Sequence, residues 1–344
     1  MRIGVLTAGG DCPGLNAVIR AVARSAIDRG DEAVGIMRGF QGLAERDYMP
    51  LDMRTVSGIL SLGGTILRTS SFEPVREGAI DRIHGAIEAD SLDAVIAIGG
   101  EHTMWMTREL HEKYGMPLIG VPKTIDNDVV GTDYTFGFDT AVHVVSEALD
   151  RLQTTAASHN RVMVVEVMGR NVGWIALHGG LAGGADGIVI PEVETTCEEI
   201  ADTIRLRHER GKDSSIIVVA EGATLSFEGG KREQITISQG TDEYGYPKLG
   251  GVGPVLAREL ERLTGFEARS VVLGHIQRGG TPTARDRVLG TRYGAKAYDM
   301  ARAGEFGRMA ALHGDEVTSV DISKVEGIKP VDLGLLKIAK RFFS

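Results

Sequence analysis

The residues best suited to chemistry stand at the end of one apolar segment. Residues 116–121 form a short apolar run that predicts a buried strand, and the polar segment PKTIDND follows at 122–128. In an open parallel α/β sheet, ligands bind at the carboxyl ends of the strands. Asp126 and Asp128 are two residues apart, so extended chain points both carboxylates to one face, where they repel unless a cation or a proton lies between them. With Lys123 beside them, we expect this segment to take part in catalysis.

Two glycine-rich loops also follow predicted strands. Strand 3–7 leads into AGGDCPG at 8–14 and then into a helical segment, and strand 92–98 leads into GGEHT at 99–103, with a helix predicted to begin at Thr103. A glycine loop between a strand and a helix places backbone N–H groups and a helix N-terminus where they can bind phosphate. The first loop fits neither the G-x-G-x-x-G nor the Walker A pattern. We expect phosphate binding at Gly10, with Glu101 suited to a Mg²⁺ ion that accompanies a polyphosphate.

Composition and charge exclude several classes of protein. The chain has 344 residues, of which 42% are apolar and 25% charged, as in an ordinary globular protein with room for two domains. Its net charge of −9 provides no broad field that attracts nucleic acid. The two cysteines do not make a disulfide framework, and no apolar run approaches the roughly 20 residues that span a membrane. We therefore expect a reduced, cytoplasmic protein that binds neither nucleic acid nor membrane.

Strands and helices alternate along the chain, which predicts an α/β fold with doubly wound parallel sheets. Arginines stand near the ends of several predicted strands and loops: Arg76, Arg161, Arg170, Arg269 and Arg278. One such arginine is usually a solvated surface group, but several beside glycine turns in an acidic protein indicate a pocket for a phosphorylated small molecule. Together with the glycine loops, Glu101 and a base at Asp126, they make up the groups needed for phosphoryl transfer to a hydroxyl.

Five motifs make a resemblance to a known family specific. The chain carries GGDCPG at 9–14, GGEHT at 99–103, TIDND at 124–128, MGR at 168–170 and GHIQRGG at 274–280. In these motifs it resembles the 6-phosphofructokinase family, and within it the actinobacterial-type group that includes pyrophosphate-dependent enzymes. The resemblance implies two similar doubly wound domains with the active site in the cleft between them. It assigns 1–137 plus about 253–308 to the donor-binding domain, about 138–252 plus 309–330 to the fructose 6-phosphate-binding domain, and 331–344 to a C-terminal tail.

The resemblance also implies a role for each matching residue. Asp126 would be the base that activates the 1-hydroxyl of fructose 6-phosphate, and the other catalytic groups would be Arg170, Lys123 and Thr124. The residues at donor-binding positions are Gly10, Arg76, His102 and Thr103. Glu101 would bind Mg²⁺, with Asp128 nearby. The residues at positions that bind the sugar phosphate are Thr124, Asp126, Arg161, Met168, Gly169, Arg170, Glu221, Arg269, His275 and Arg278. Because Arg161 and Arg269 resemble a pair lent by a neighbouring subunit, we expect a homodimer or homotetramer with shared active sites.

Two positions bear on the identity of the donor. ATP-dependent members typically have glycine at the position of His102 and often at that of Lys123, whereas pyrophosphate-dependent members typically have aspartate and lysine. Lysine supports pyrophosphate but also occurs in ATP-dependent actinobacterial-type enzymes, and the His102 imidazole should crowd the α-phosphate of a nucleotide. The segment SSF at 70–72 stands where many members carry an arginine. We predict Mg-pyrophosphate as the preferred donor, with ATP as the alternative.

Other functions fit only part of the pattern. A sugar-phosphate-binding regulatory subunit without turnover should lack the base or a metal ligand, yet Asp126, Asp128 and Glu101 are all present. A diacylglycerol- or NAD-kinase-like enzyme shares a GGDG-type loop but would lack TIDND and GHxQRGG. Arg20 and Arg24 match positions that bacterial ATP-dependent enzymes use for allosteric effectors, although arginines at i and i+4 are also typical of a solvated helix face.

Overall fold

The fold consists of two units, and the chain passes between them three times. Unit 1 comprises Met1–Thr140 and Arg278–Ile328, and unit 2 comprises Ala141–Gln277 and Lys329–Ser344. The structure is a computed structural model, and it describes residues 1–76, 78–227, 232–234, 236–241 and 247–343. It confirms the predicted α/β class with parallel sheets.

Strands occur in both units of the chain. They are β1 (Arg2–Thr7), β2 (Glu32–Ile36), β3 (Tyr48–Pro50), β4 (Ala94–Gly99), β5 (Leu118–Thr124), β6 (Phe136–Gly137), β7 (Val162–Val167), β8 (Gly187–Val189), β9 (Thr195–Thr196), β10 (Ser215–Ala220), β11 (Thr224–Ser226), β12 (Arg232–Gln234), β13 (Thr236–Thr241), β14 (Pro247–Leu249), β15 (Ala268–Val272), β16 (Arg308–His313) and β17 (Glu316–Asp321).

The α-helices alternate with these strands. They are α1 (Leu15–Asp28), α2 (Gly39–Glu45), α3 (Ala79–Ala89), α4 (Glu101–Tyr114), α5 (Phe138–His159), α6 (Trp174–Ala182), α7 (Cys197–Glu209), α8 (Val252–Thr264), α9 (Ala284–Ala303) and α10 (Leu333–Ala339). Within the described ranges, none of these helices combines the length and the apolar character needed to cross a membrane.

The main sheet of unit 1 has the strand order β17-β16-β5-β4-β1-β2-β3, with β6 paired to β5. Strands β16, β5, β4, β1 and β2 run parallel, whereas β3 and β17 are antiparallel to their neighbours. Every residue of β4 is buried, as expected for a central parallel strand that is covered on both faces. Thr7 pairs with Ile98, and Gly99 pairs with Pro122. The carboxyl ends of β1, β4 and β5 therefore lie side by side.

Helices α1 and α9 approach each other closely on this unit, and glycines on α9 permit the approach. A Cβ atom at Gly294 would lie 2.5 Å from the carbonyl oxygen of Val18, and one at Gly290 would lie 3.0 Å from that of Gly14. A side chain at Gly294 would force the two helix backbones apart. The loop that precedes α1 is thus held against the start of α9.

Unit 2 is built around a smaller parallel sheet with the order β15-β7-β10-β8. Val167 pairs with Ala220, and Val272 pairs with Glu166, so the carboxyl ends of β7, β10 and β15 are neighbours. Glu166 is buried, and its carboxylate accepts hydrogen bonds from the N–H groups of Gly251 (3.0 Å) and Gly253 (2.8 Å). These bonds satisfy donors at the start of α8, which would otherwise be buried without partners.

The structure divides the second half of the chain differently from the prediction. Residues 253–277 lie in unit 2, because β15 pairs with β7 and Glu166 binds the start of α8. Residues 309–328 lie in unit 1, because β16 pairs with β5. Both pairings join segments that are far apart in the sequence, and the alternation of strands and helices does not reveal such pairings.

A buried carboxylate joins the starts of α5 and α9. Oδ2 of Asp286 accepts hydrogen bonds from the backbone N–H of Thr140 (2.8 Å) and from its hydroxyl (2.6 Å). The Thr283 hydroxyl caps α9 by accepting from the N–H of Asp286, and it donates to Asp139 at 2.7 Å. Burial raises the pKa of Asp286 to about 6, because loss of hydration outweighs the hydrogen bonds that Thr140 donates.

The raised pKa of Asp286 predicts a pH-dependent stability. Between its unfolded pKa near 4 and about 6, the native state holds a proton that the unfolded state releases, so stability falls as pH rises through this window. Asp286→Asn keeps an acceptor for Thr140 without a buried charge. From pH 4 to pH 8, we expect the unfolding free energy of the wild type to fall by about 2 kcal/mol relative to this variant.

Urea unfolding, followed by circular dichroism at fixed protein concentration, measures this difference. Asp299→Asn is the control, because Asp299 is an exposed carboxylate on the same helix. A stability difference between the wild type and Asp286→Asn that stays constant with pH would show that Asp286 does not titrate in this range.

Candidate active site

Three loops of unit 1 meet at the carboxyl ends of β1, β4 and β5. Gly10 is in the loop after β1, Glu101 begins α4 and Lys123 is near the end of β5; the sequence predicts all three in one site. The Lys123 ammonium donates a hydrogen bond to the Gly10 carbonyl, which joins the end of β5 to the loop after β1. A Cβ atom at Gly100 would lie 3.4 Å from the Lys123 carbonyl oxygen, so the loop after β4 also lies against β5. The strand order therefore brings these three predicted residues to one edge of the sheet.

Two cations lie against the Gly10 loop. The Lys123 side chain is only 4% exposed, and burial lowers its pKa, while the Asp11 and Asp126 carboxylates oppose that shift. A Cβ atom at Gly10 would lie 2.7 Å from a terminal nitrogen of Arg278, so a side chain there would displace the guanidinium. Arg278 belongs to unit 1, whereas His275 belongs to unit 2. Positive charge beside a glycine loop favours a bound anion.

The turn after β5 exposes alternate residues. Thr124, Asp126 and Asp128 are partly exposed, whereas Ile125 and Asn127 are buried. The Thr124 hydroxyl accepts a hydrogen bond from the N–H of Asp126 at 3.0 Å. Thr124 and the two aspartates are thus the partly exposed positions of TIDND, which agrees with the two-residue spacing of the aspartates.

Asn127 holds this turn in place, a role that the sequence analysis did not assign to it. Its φ of 52° is in the left-handed region, which asparagine tolerates better than most residues. Its side-chain oxygen accepts a hydrogen bond from the N–H of Thr135 at 3.0 Å, and the Thr135 hydroxyl donates to the Thr124 carbonyl at 2.8 Å. The asparagine of the TIDND motif was itself the available signal, because it stands between two carboxylates in a sharp turn.

Helix α4 begins at Glu101, two residues earlier than predicted, so Glu101 and His102 belong to its first turn. The residue before it, Gly100, provides no side-chain cap. The helix dipole favours an anion at this end of α4. Thr103 is buried, and a Cβ atom at Gly99 would lie 2.2 Å from its hydroxyl oxygen.

His102 is bound by a carboxylate from a distant loop. Its Nε2 lies 2.7 Å from Oε1 of Glu73, and its ring stacks on Trp105 with centroids 5.3 Å apart. Arg76 is exposed in the same loop, and its N–H donates to the Glu73 carbonyl at 3.4 Å. Glu73 could not be identified from the sequence, because nothing in the sequence pairs it with a residue 29 positions later.

The residues of this edge fit a Mg²⁺ ion that is shared with phosphate. Among the described residues, no three histidine, cysteine or carboxylate side chains converge as a metal site. Glu101 is a half-exposed carboxylate in the first turn of α4, at the edge where the phosphate-binding groups lie. Because Mg²⁺ often takes one or two carboxylates and completes its shell with phosphate oxygens and water, this donor set suits it.

In unit 2, the carboxyl ends of β7, β10 and β15 carry a second group of predicted residues. Met168, Gly169 and Arg170 follow β7, Glu221 follows β10, and His275 follows β15. The N–H of Gly222 donates to the Gly169 carbonyl at 3.1 Å, and the N–H of Met168 donates to the Gln277 side chain at 3.3 Å. The structure therefore brings these residues to one edge of the sheet.

Arg161 and Arg269 lie at the opposite edge of the same sheet. Arg161 immediately precedes β7, and Arg269 is the second residue of β15, so both stand at the amino ends of their strands. Glu267 binds both, with 2.7 Å from Nε of Arg161 to its carboxylate and a second ion pair to Arg269. At about 3.3 Å per residue, Arg161 and Met168 are roughly 20 Å apart along the strand. This pair is not part of the Met168–Glu221 group of the same chain.

Comparisons with known proteins agree on one family. The chain matches the family model for Phosphofructokinase over residues 2–301. It is 51% identical over 340 residues to ATP-dependent 6-phosphofructokinase 3 of Streptomyces coelicolor, covering 96% of each chain. It is 49% identical over 347 residues to the pyrophosphate–fructose 6-phosphate 1-phosphotransferase of the same organism, covering 100% of both. The crystal structure of Pichia pastoris phosphofructokinase in the T-state is similar to this chain, with a TM-score of 0.80 and 29% sequence identity. The match covers 94% of this chain and 35% of the longer Pichia chain.

Replacement of Asn127 tests whether it holds the turn after β5. We expect Asn127→Ala to lower the free energy of unfolding by about 2–4 kcal/mol, because it leaves the buried N–H of Thr135 without its acceptor and strains a left-handed backbone. Asn127→Gly should recover the backbone part of this loss and retain the hydrogen-bond part. Urea unfolding of both variants measures the two contributions. Equal destabilisation by glycine and alanine would show that backbone strain contributes nothing at this position.

Proposed function

Because the chain belongs to the phosphofructokinase family, we propose that it transfers a phosphoryl group to the 1-hydroxyl of fructose 6-phosphate, giving fructose 1,6-bisphosphate in glycolysis. The observation that carries this proposal is the meeting of Gly10, Glu101 and Lys123 at the carboxyl ends of β1, β4 and β5, directly before Asp126. Phosphoryl transfer requires positioning and charge stabilisation more than covalent chemistry, and this edge offers backbone donors, a cation and carboxylates together.

Asp126 is the proposed general base. It is on the accessible side of the turn after β5, and its position is fixed by the bond from its own N–H to Thr124. As the 1-hydroxyl oxygen forms its bond to the terminal phosphorus of the donor, Asp126 takes the hydroxyl proton. The bond between that phosphorus and its former bridging oxygen breaks, and the electron pair leaves with the remaining phosphate. Arg170 is the proposed side chain that stabilises the charge of the transferring group.

The proposed binding site for the donor phosphates is on unit 1. The Gly10 loop, the start of α4 and the Lys123 ammonium supply N–H groups and positive charge at one edge. Arg76, His102 and Thr103 complete the proposed donor site. Glu101 would hold Mg²⁺, with Asp128 nearby; when bound, the ion neutralises charge on the donor oxygens. Lys123 then acts as a fixed positive charge that needs no reorganisation during the reaction.

The sugar phosphate is assigned mainly to unit 2. The proposed contacts come from Met168, Gly169, Arg170, Glu221 and His275, which lie at the carboxyl ends of neighbouring strands. Thr124, Asp126 and Arg278 are the proposed contributions from unit 1. The bond between Gly222 and Gly169 fixes the MGR loop beside Glu221, which supports a common role for these residues. An enzyme of glycolysis acts on metabolites of the cytoplasm, where we place it.

A neighbouring subunit supplies the remaining arginines in this proposal. Arg161 and Arg269 lie at the edge of the sheet opposite to Met168, so they do not reach a sugar phosphate bound beside Met168 in their own chain. Their ion pairs to Glu267 hold both guanidinium groups together, and both side chains are accessible. A homodimer or homotetramer in which each chain lends this pair would complete every site.

Pyrophosphate is the proposed preferred donor. Lys123 adds a buried positive charge next to the Gly10 loop, and the His102 ring occupies space at the start of α4. The names of relatives leave the donor open, because an ATP-dependent and a pyrophosphate-dependent enzyme from one organism are 51% and 49% identical to this chain. ATP therefore remains the alternative donor for the same acceptor.

Asp126→Ser tests the reaction and its base in one experiment. We expect the wild type to phosphorylate fructose 6-phosphate faster with Mg-pyrophosphate than with MgATP. The variant should lose turnover with either donor by about 10²–10⁴-fold, because general-base catalysis contributes a factor of that size. Binding of fructose 6-phosphate should change little. Coupled assays of fructose 1,6-bisphosphate formation give turnover, and calorimetry gives sugar binding.

Asp128→Ser is the matched control, since Asp128 is another partly exposed carboxylate in the same turn. We expect it to weaken the dependence on Mg²⁺ while retaining more turnover than Asp126→Ser. Unchanged turnover in Asp126→Ser would remove Asp126 from the mechanism. A clear preference of the wild type for MgATP would overturn the choice of donor.

Mixed oligomers test the sharing of active sites. Asp126→Ser and Arg161→Ala should each be nearly inactive alone, because one lacks the base and the other the lent arginine. When the two chains are co-expressed, a mixed dimer has one site with both defects and one with neither, so about one quarter of wild-type activity should return.

Co-expression of Arg161→Ala with Arg269→Ala is the control for this experiment. Every site in that mixed dimer receives one defective arginine from its neighbour, so activity should stay low. Size-exclusion chromatography confirms that the variants still assemble. Failure of the Asp126→Ser and Arg161→Ala mixture to regain activity, with assembly intact, would contradict sharing.

A further inference from the structure

Glu73 is a carboxylate directly beside the site proposed for an anionic donor. Its side chain is 18% exposed, and Oε1 lies 2.7 Å from Nε2 of His102. His102 is in the first turn of α4, where the helix N-terminus favours an anion. A negative charge at this position opposes that attraction, so its presence calls for a functional explanation.

The backbone near Glu73 is fixed to the glycine loop of the same site. The Thr69 hydroxyl donates to the Gly9 carbonyl at 2.5 Å, and the N–H of Gly9 donates to the Ser70 carbonyl at 3.5 Å. Phe72, on the amino side of Glu73, packs against the same apolar cluster as Trp105. Glu73 is therefore held between the Gly9–Gly10 loop and the start of α4.

The carboxylate also determines how the His102 ring is used. An ionised carboxylate only accepts hydrogen bonds, so Nε2 must carry the hydrogen of the bond to Glu73. Stacking on Trp105, with the ring planes 20° apart, restricts rotation of the imidazole. Glu73 and Trp105 together keep the bulky imidazole in one place at the start of α4.

We propose that Glu73 is a positioning residue that, through His102, selects a donor of two phosphates over a nucleoside triphosphate. This inference rests on the proposed function. Pyrophosphate ends after its second phosphate, whereas ATP continues with an α-phosphate and adenosine. The additional phosphate must pass the His102 ring and approach the Glu73 carboxylate. Exclusion then comes from the volume of a ring that Glu73 holds in place, so the carboxylate acts through His102.

Donor preference is measured as kcat/KM for MgATP divided by kcat/KM for Mg-pyrophosphate, at saturating fructose 6-phosphate. We expect Glu73→Ala to raise this ratio by about tenfold or more, through a lower KM for MgATP rather than a higher kcat, because the released ring can move aside. Glu73→Gln should stay close to the wild-type ratio, since its amide oxygen accepts the same hydrogen bond. The KM for fructose 6-phosphate should not change.

A double-mutant cycle tests whether Glu73 acts through His102. His102→Gly alone should raise the ratio at least as much as Glu73→Ala, and adding Glu73→Ala to it should change the ratio little. Glu88→Ala is the matched control, because Glu88 forms an exposed pair with His84 on α3, outside the site. It should leave the ratio unchanged.

Several outcomes would overturn the inference. They are an unchanged ratio in Glu73→Ala, equal effects of Glu73→Ala and Glu73→Gln, and additive effects of Glu73→Ala and His102→Gly. A wild type that prefers MgATP would also overturn it, while leaving phosphorylation of fructose 6-phosphate intact. If the folded wild type phosphorylates fructose 6-phosphate with neither donor, the proposed function itself fails.

Discussion

The buried ammonium group of Lys123 is the constraint on which the arrangement at the carboxyl ends of β1, β4 and β5 depends. An ammonium group that is 4% exposed is costly unless polar groups surround it, and here the Gly10 carbonyl accepts its hydrogen bond. That bond is available only because the parallel order of β1, β4 and β5 places the loop after β1 near the end of β5. Gly10 must also lack a side chain for the Arg278 guanidinium to lie beside it. Fold, loop composition and local charge therefore depend on one another at this edge.

The parallel sheet of unit 2 carries arginines at both ends of its strands. In unit 2, Arg170 follows the carboxyl end of β7, and Arg161 precedes its amino end. Glu267 neutralises part of the charge at the amino end and keeps Arg161 and Arg269 in one place. In the proposed oligomer, each chain offers one set of groups to its own ligand and another set to a neighbour. In such an assembly, binding at one site depends on the folding of two chains.

Local patterns were sufficient to predict much of the fold and of the site. The apolar run 92–98 and the one at 116–121 correspond to β4 and β5, and the glycine loops and TIDND follow strands as expected. The placement of residues 253–277 and 309–328 was not predictable in the same way. It depends on pairing of β15 with β7 and of β16 with β5, and periodicity within one segment carries no information about its partner.

The contacts that fix individual side chains were the least predictable. Glu73 and His102 are 29 residues apart, and the Asp286 carboxylate binds Thr140 across 146 positions. Such pairs arise only after the chain has folded, because each partner is brought by a different segment. Asn127 is an intermediate case: its residue type suits a left-handed turn, but the bond to Thr135 could not be foreseen.

The pairing of β16 with β5 has a consequence for biosynthesis. During translation, all strands of the β15-β7-β10-β8 sheet are synthesised between residues 162 and 272. The partner strand of β5, β16, begins only at residue 308. Until β16 is synthesised, the part of β5 that pairs with it has unpaired backbone groups, which can pair with other nascent chains. The first unit to begin synthesis is thus the last to complete its sheet. Protection of that edge, by a chaperone or by rapid completion of the chain, is expected to govern the yield of folded protein.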